Sequence, residues 1–243
     1  MKILVCITHV PDTTSKIAFT DNDTKFDKTG VQYIIGPYED YAIGKAMDIK
    51  ESNGAEVTVM NVGLAETEPT IRKALAIGAD DAIRVNSEPL DSFFVAQQIA
   101  AVAKENKYDL ILMGRESIDF NGGQVHGMVG ELLNIPAVSP VMQMECDGSK
   151  AKMSLEIEGG KEHVEVEMPF IAGCQEPISE WRIPNMRGIM TARSKPLNVI
   201  EPIGDSVATE VKNYELPPAK QAVKIVDNVE DLVNLLKNEA KVL

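Results

Sequence analysis

Positive charge is scarce in this chain of 243 residues: 24 Lys and Arg face 37 Asp and Glu, a formal net charge of −13. That field repels phosphate backbones and anionic lipid, which argues against nucleic acid and acidic membranes as partners. Cysteine and histidine are scarcer still, at three residues each. Cys6, Cys146 and Cys174 are odd in number and irregularly spaced, so they give neither a disulfide framework nor a CxxC metal knuckle, and a reducing compartment fits them. His9, His126 and His163 lack ligand spacing, so no metal site is expected. Long apolar runs are missing too. The opening Lys2-Ile3-Leu4-Val5-Cys6-Ile7 turns polar at Thr8-His9, too short for a signal peptide or a membrane span. The expected setting is cytoplasmic or matrix-like, not secreted, with no membrane insertion. The G-x-x-x-x-G-K-[ST] loop and the G-x-S-x-G elbow are absent, and the first strand exit lacks G-x-G-x-x-G. Those absences exclude a Walker-type hydrolase, leave no elbow for a serine hydrolase and disfavour a standard NAD dehydrogenase, and no catalytic residues are expected.

What the chain has is an ordinary globular composition, 44% hydrophobic and 25% charged, arranged as an alternation of short apolar runs with longer helical patterns. The runs 3–7, 57–62, 82–85 and 110–113 are nearly continuous in apolar residues, as strands covered on both faces are. Segments 40–51, 67–77 and 91–104 between them space Ile43, Ala46 and Met47, then Ile71, Ala74 and Leu75, then Val95, Ile99 and Val102 at three- and four-residue intervals. This predicts an α/β fold: a doubly wound, mostly parallel, Rossmann-like sheet.

After Pro136 the pattern changes. Asp147-Gly148 and Gly159-Gly160 are turn signals flanking 153–157 and 164–168, where apolar and polar residues partly alternate, so antiparallel strands are expected to extend the sheet. Beyond Gly173 the chain is polar and punctuated by proline, and only 185–192 has a helical pattern. The predicted organisation is an α/β domain over 1–193 and an extended C-terminal arm over 194–243. The arm ends in a helix over 227–240, with Asp227 and Glu230 at capping-box spacing and Val229, Leu232, Val233 and Leu236 on one stripe.

In an open α/β sheet, ligands bind where the strands end. The most informative exit is Gly114-Arg115-Glu116-Ser117-Ile118-Asp119-Phe120-Asn121-Gly122-Gly123-Gln124-Val125, which runs into a helical pattern. Asn121 is placed to cap that helix, and the paired glycines remove side chains from the path of a ligand. N–H groups at a helix start favour phosphate. A plain capped loop has the same composition, so nucleotide site and ordinary loop rank equally on these residues alone. Trp181, the only tryptophan, lies between Pro177 and Pro184 beside Ile183, and a large apolar group in such a segment is either tucked beneath it or offered to a partner.

Several motifs in one order resemble the beta subunit of electron transfer flavoprotein along essentially the whole chain. They are the opening strand with Val10-Pro11-Asp12, Gly36-Pro37-Tyr38-Glu39 before a helix, Arg72-Lys73-Ala74-Leu75-Ala76-Ile77-Gly78-Ala79-Asp80, and Gly114-Arg115-Glu116-Ser117-Ile118-Asp119. Glu156-Ile157-Glu158-Gly159-Gly160-Lys161-Glu162 with Met168-Pro169, and Pro184-Asn185-Met186-Arg187-Gly188-Ile189-Met190 with Ala192-Arg193, complete the set. Leu155 stands where the family signature has Lys or Arg, and Ala172 where it has a larger aliphatic residue. The resemblance implies an electron carrier and not an enzyme: a heterodimer whose alpha subunit holds the redox-active FAD. The beta subunit binds an adenine nucleotide, AMP or, in electron-bifurcating relatives, a second FAD. Nucleotide contacts carry over to Cys6, Gly36, Pro37, Tyr38, Glu39, Val62, Gly63 and the loop from Gly114 to Val125. Electrons would come from flavoprotein dehydrogenases, typically acyl-CoA dehydrogenases of fatty acid beta-oxidation, and pass towards a quinone reductase or another acceptor. A recognition loop over 176–185 would present Ile183, with Trp181 beside it, to the dehydrogenase, and the C-terminal arm would contact the alpha subunit. A stand-alone adenine-nucleotide sensor of the same fold is the alternative reading.

Overall fold

The computed structural model describes residues 1–220 and 222–243. The first half alternates as the sequence predicts: β1 (Lys2–Cys6), then short β2 (His9–Pro11), β3 (Phe19–Thr20), β4 (Lys25–Phe26) and β5 (Tyr33–Ile35), α1 (Pro37–Asn53), β6 (Glu56–Val62), α2 (Glu68–Ile77), β7 (Asp81–Val85), α3 (Ser92–Asn106) and β8 (Leu110–Gly114). Then come α4 (Val125–Leu133), β9 (Ala137–Cys146), β10 (Lys150–Ile157), β11 (Gly160–Glu167), β12 (Phe170–Cys174), α5 (Met186–Ala192), β13 (Leu197–Ile200) and α6 (Val229–Asn238).

Nine strands form the main sheet, in the order β11-β10-β9-β12-β8-β1-β6-β7-β13. From β9 to β13 every pairing is parallel, and β10 and β11 add an antiparallel meander at one edge. Alternation along β1 explains how both faces are covered. Ile3 and Val5 join a core with Ala42, Ile43, Ala46 and Met47 of α1 and Ile71, Ala74 and Leu75 of α2. Leu4 and Cys6 face the other way, against Phe94, Ile99 and Val102 of α3 and Val129 of α4. The sheet is therefore doubly wound, with α1 and α2 on one face and α3 and α4 on the other.

Two signature departures have a packing reason or at least a place. Leu155 lies in the first core, opposite Val141 of β9, where an apolar side chain is buried. Ala172 is fully buried in β12, between Leu112 and Val138.

Two compact units are distinguished along the chain. The larger comprises 1–18 and 27–211, and the smaller 19–26 and 212–243. The boundary predicted at 193 falls inside the larger unit, because Leu197–Ile200 pairs in parallel with Ala82–Val85 as an edge strand. Beyond it, Gln98 of α3 grips Ile203 twice, donating from Nε2 to its carbonyl at 2.9 Å and accepting its N–H at 2.8 Å. Asp91 then accepts from the backbone N–H groups of Ala208 and Thr209 at 2.7 and 2.8 Å while also capping α3 through Phe94 N–H. In the smaller unit, β3 pairs with β4 and Tyr214 stacks on Phe19. Its helix α6 is capped by Asn228, which accepts from Asp231 N–H at 2.9 Å, one residue later than the Asp227 cap that the sequence suggests. Asn228 has the extended backbone that a cap needs.

Candidate functional site

Chain order across the sheet reverses beside β1: β6 and β7 step to one side, and α3 then carries the chain back to β8 on the other. The crevice at such a reversal lies beyond the carboxyl ends of β1 and β8, where polar groups need partners other than ladder bonds. Three polar side chains are buried there. Glu39, on the first turn of α1, is 3% exposed, with Oε1 accepting from the Thr8 hydroxyl at 2.9 Å and Oε2 lacking any partner. Asn61, in β6, donates from Nδ2 to the Ile7 carbonyl at 3.0 Å and leaves Oδ1 unpaired. Arg84, in β7, donates to the Gly63 carbonyl and to Asn86 Oδ1, both at 2.9 Å, and lies 3.5 Å from Glu68.

Glycines make room for these groups. A Cβ on Gly36 would lie 2.0 Å from Glu39 Oε2, and one on Gly114 would press on Tyr38 Cβ at 2.8 Å and Glu39 Cδ at 3.0 Å. At Gly63 a Cβ would meet Thr67 at 2.4 Å and Asn61 Oδ1 at 2.7 Å. Residues 36, 63 and 114 are therefore small because buried polar side chains occupy the space beside them.

Burial is the dominant influence on the Glu39 carboxyl and pushes it up to about 7. The Thr8 hydroxyl draws it partly back, and the charges of Asp119 and Asp40 raise it further. Burial, with Glu39 adding to it, holds the Cys6 thiol far above its ordinary range, and burial pushes Cys174 up to about 12. Both cysteines are inert, packed thiols at physiological pH.

The structure brings most of the expected residues together. Cys6, Gly36, Pro37, Tyr38, Glu39, Val62, Gly63 and Gly114 share the strand-end crevice. Arg115 lies over the Tyr38 ring with 5.4 Å from its guanidinium carbon to the ring centroid, and donates to Gln175 at 2.8 Å. Glu116, Ser117 and Ile118 are half-buried, whereas Asp119, Phe120, Asn121, Gly122, Gly123 and Gln124 are exposed along the rim. The Ser117 hydroxyl donates to Asp119, which steadies the turn. Asn121 is not the helix cap. It adopts a left-handed φ of 49°, its N–H bonds the Ser117 carbonyl, and α4 starts only at Val125 after Gln124. Asn in this conformation turns the loop and does not start a helix. Trp181 and Ile183 lie outside the crevice, on the loop before α5, and are 55% and 76% exposed.

Thr8, Asn61 and Arg84 escaped sequence reasoning. Asn61 and Arg84 did leave a signal, each being the one polar residue in the apolar second half of its strand, 59–62 and 82–85. Past the end of β1, His9 stacks on Tyr33 with ring centroids 4.3 Å apart and bonds Thr70 at 2.7 Å, which fixes the β2–β5 pair. Among the described residues no cluster of His, Cys, Asp and Glu is disposed to hold a metal, and no helix is long and apolar enough to cross a membrane.

Comparison with known proteins gives one answer. A family model described as the electron transfer flavoprotein domain matches residues 23–203. The chain is 34% identical over 261 residues to "Electron transfer flavoprotein subunit beta" of Bacillus subtilis (strain 168), covering 100% of both chains. It is 34% identical over 249 residues to the protein of the same description in Syntrophomonas wolfei, covering 100% of this chain and 98% of that one. The human electron transfer flavoprotein subunit beta is 30% identical over 252 residues, with 100% and 99% covered.

Proposed function

This chain belongs to the electron transfer flavoprotein family as a beta subunit, and from that premise we propose that it binds an adenine nucleotide at the strand-end crevice and docks a flavoprotein dehydrogenase through residues 176–185. As a beta subunit it is part of an electron carrier assembled with an alpha subunit. FAD, held mainly by the alpha subunit, supplies the electron-accepting chemistry. Electrons enter from a dehydrogenase of the acyl-CoA type and leave towards a quinone reductase or another acceptor, and this chain orders the ligand and the encounter.

The observation that carries the nucleotide reading is the pair of orphaned, buried acceptors, Glu39 Oε2 and Asn61 Oδ1, at the sheet's reversal point. A buried acceptor without a donor costs about 1–3 kcal/mol, so a donor bound here, from a ligand or from water, stabilises the fold. The exocyclic amine of adenine and the hydroxyls of ribose are donors of the required kind. Arg115, the glycines at 122 and 123 and the unpaired N–H groups at the start of α4 supply the opposite chemistry, that of phosphate recognition. The residues present therefore fit an adenine nucleotide, either AMP or the adenylate half of a second FAD. The small, exposed residues at 121–123 leave the rim open to the larger ligand.

Mass spectrometry of the ligands released by acid from the native heterodimer tests this. One FAD with one AMP per heterodimer identifies an ordinary carrier, and two FAD without AMP identify the bifurcating type. Release of FAD with no nucleotide left for this chain refutes the site.

A further inference from the structure

Between the strand-end crevice and α5 the chain makes a loop with a division of labour among successive side chains. Ile178 is 6% exposed and is part of the first core, which roots the loop. The Ser179 hydroxyl donates to Asp48 Oδ2 at 2.7 Å. The Glu180 carbonyl lies so close to α1 that a Cβ on Gly44 would come within 2.5 Å of it. Arg182 sends both guanidinium nitrogens back to the same helix: Nη2 donates to Asp48 Oδ1 at 2.6 Å and to Glu51 Oε2 at 2.9 Å, and Nη1 pairs with Glu51 Oε1. Asp48 and Glu51 are three residues apart and share one face of α1, so both carboxylates converge on one planar fork. The residues on either side of Arg182 are the exposed Trp181 and Ile183.

We infer that Arg182 is a positioning residue which latches the 176–185 loop to α1 and thereby holds Trp181 and Ile183 outward for the docking partner. Residues 180–185 form neither helix nor turn, so no backbone ladder sets the direction of their side chains. In such a stretch the pinned guanidinium does so: with Arg182 drawn onto Asp48 and Glu51, its neighbours are turned away from α1. The inference rests on the reading of this loop as the docking loop. The latch is partly exposed, so its contribution to global stability is small, because surface ion pairs are individually weak. Its effect lies in how often the free loop already has the arrangement that binds. Apparent affinity falls in proportion to the fraction of molecules in the competent arrangement. If release leaves about one molecule in five competent, the half-saturating dehydrogenase concentration rises about fivefold.

The test uses the full heterodimer labelled with 5-fluorotryptophan, the Trp181 resonance being assigned by its loss in Trp181→Phe. Two variants break the latch from opposite sides: Arg182→Gln, and Asp48→Asn with Glu51→Gln. In both, the Trp181 fluorine resonance should narrow and move towards its unfolded position. The concentration of an acyl-CoA dehydrogenase, reduced with its own substrate, that gives half-maximal flavin reduction should rise about fivefold. In the helix variant the limiting rate and melting temperature should stay as in the wild type. An unchanged resonance in either variant overturns the inference, and so does an altered resonance with unaltered half-saturation. Weaker docking in Arg182→Gln but normal or tighter docking in the helix variant also overturns it, since Arg182 would then touch the dehydrogenase itself. Ile183→Ala is the control: if it leaves half-saturation unchanged, the docking reading fails, and the fluorine resonance alone decides whether the latch orders the loop.

Discussion

Glu39 gives the sharpest quantitative expectation, because its carboxyl is buried and one of its oxygens has no donor. Raised from 4.5 to about 7, it binds a proton more tightly in the native state than in the unfolded chain. Below about pH 4.5 the proton is present in both states and the native fold carries no penalty. As pH rises, the unfolded chain sheds the proton first, so stability falls between about 4.5 and 7 and the loss is complete above the folded value. At about 1.4 kcal/mol for each unit of displacement, the loss approaches about 3 kcal/mol. Glu39→Gln removes the titration while keeping the shape. Urea unfolding of nucleotide-free heterodimer at fixed subunit concentration should show the variant gaining on the wild type by about 3 kcal/mol between pH 4.5 and 8. Burial lowers the His9 and His126 imidazoles below their ordinary range in both proteins alike, so the difference between the two curves isolates Glu39. Parallel curves across that interval, or a variant that loses ground at pH 8, would refute the assignment of an unpaired, strained carboxylate.

The remaining expectations concern the rim and the arm. Gly123 has φ +56°, and a Cβ added there would meet only the Arg115 carbonyl, at 3.8 Å, so Gly123→Val costs about 1–2 kcal/mol of backbone strain and should sharply lower nucleotide content while the melting temperature drops only a few degrees; nucleotide retained at full stoichiometry would place the phosphate elsewhere. Asp91→Ala removes the α3 cap and both backbone bonds to residues 208 and 209, which should cost about 2–4 kcal/mol and expose the segment after Ile200 to protease before the rest; uniform proteolysis would count against a local clamp. Ending the chain after Lys220 deletes α6, whose Val229, Leu232 and Val233 are exposed, and should abolish the heterodimer on size exclusion; an unchanged dimer would mean that α6 contributes nothing to assembly.

The central strands were legible because burial on both faces makes 3–7, 57–62 and 110–113 continuous apolar runs, a pattern set by local composition. Helices α1 to α3 were legible for the same reason, through their periodicity. Pairing was not legible. Phe170–Cys174 inserts between β8 and β9 in parallel register, and nothing within those five residues specifies partners so distant in the chain. Leu197–Ile200 was hidden by Pro196 and Pro202, which suggest a linker but are equally at home beside an edge strand. At the candidate site, Gly36, Glu39, Gly63 and Gly114 are expected from the family resemblance, and the structure places them together at the strand ends. Thr8 acts through its bond to Glu39 of α1, and Asn61 and Arg84 through bonds to the ends of neighbouring strands, which appear only when β1, β6 and β7 are side by side.

Strand β12 also dictates when the two halves of the main sheet can join. On a ribosome, β1, β6, β7 and β8 emerge first and can associate, and β9, β10 and β11 follow as a local meander. Until residue 174 has left the exit tunnel these are two unfinished sheets, one with a bare edge at β8 and the other with a bare edge at β9. Bare edges of this kind pair readily with other chains. The five buried residues Phe170–Cys174 satisfy both edges at once. A nascent chain stalled before them would therefore present these two adhesive seams in addition to the β7 edge that β13 covers later, and its survival would depend on how quickly translation delivers the strand that joins the two halves.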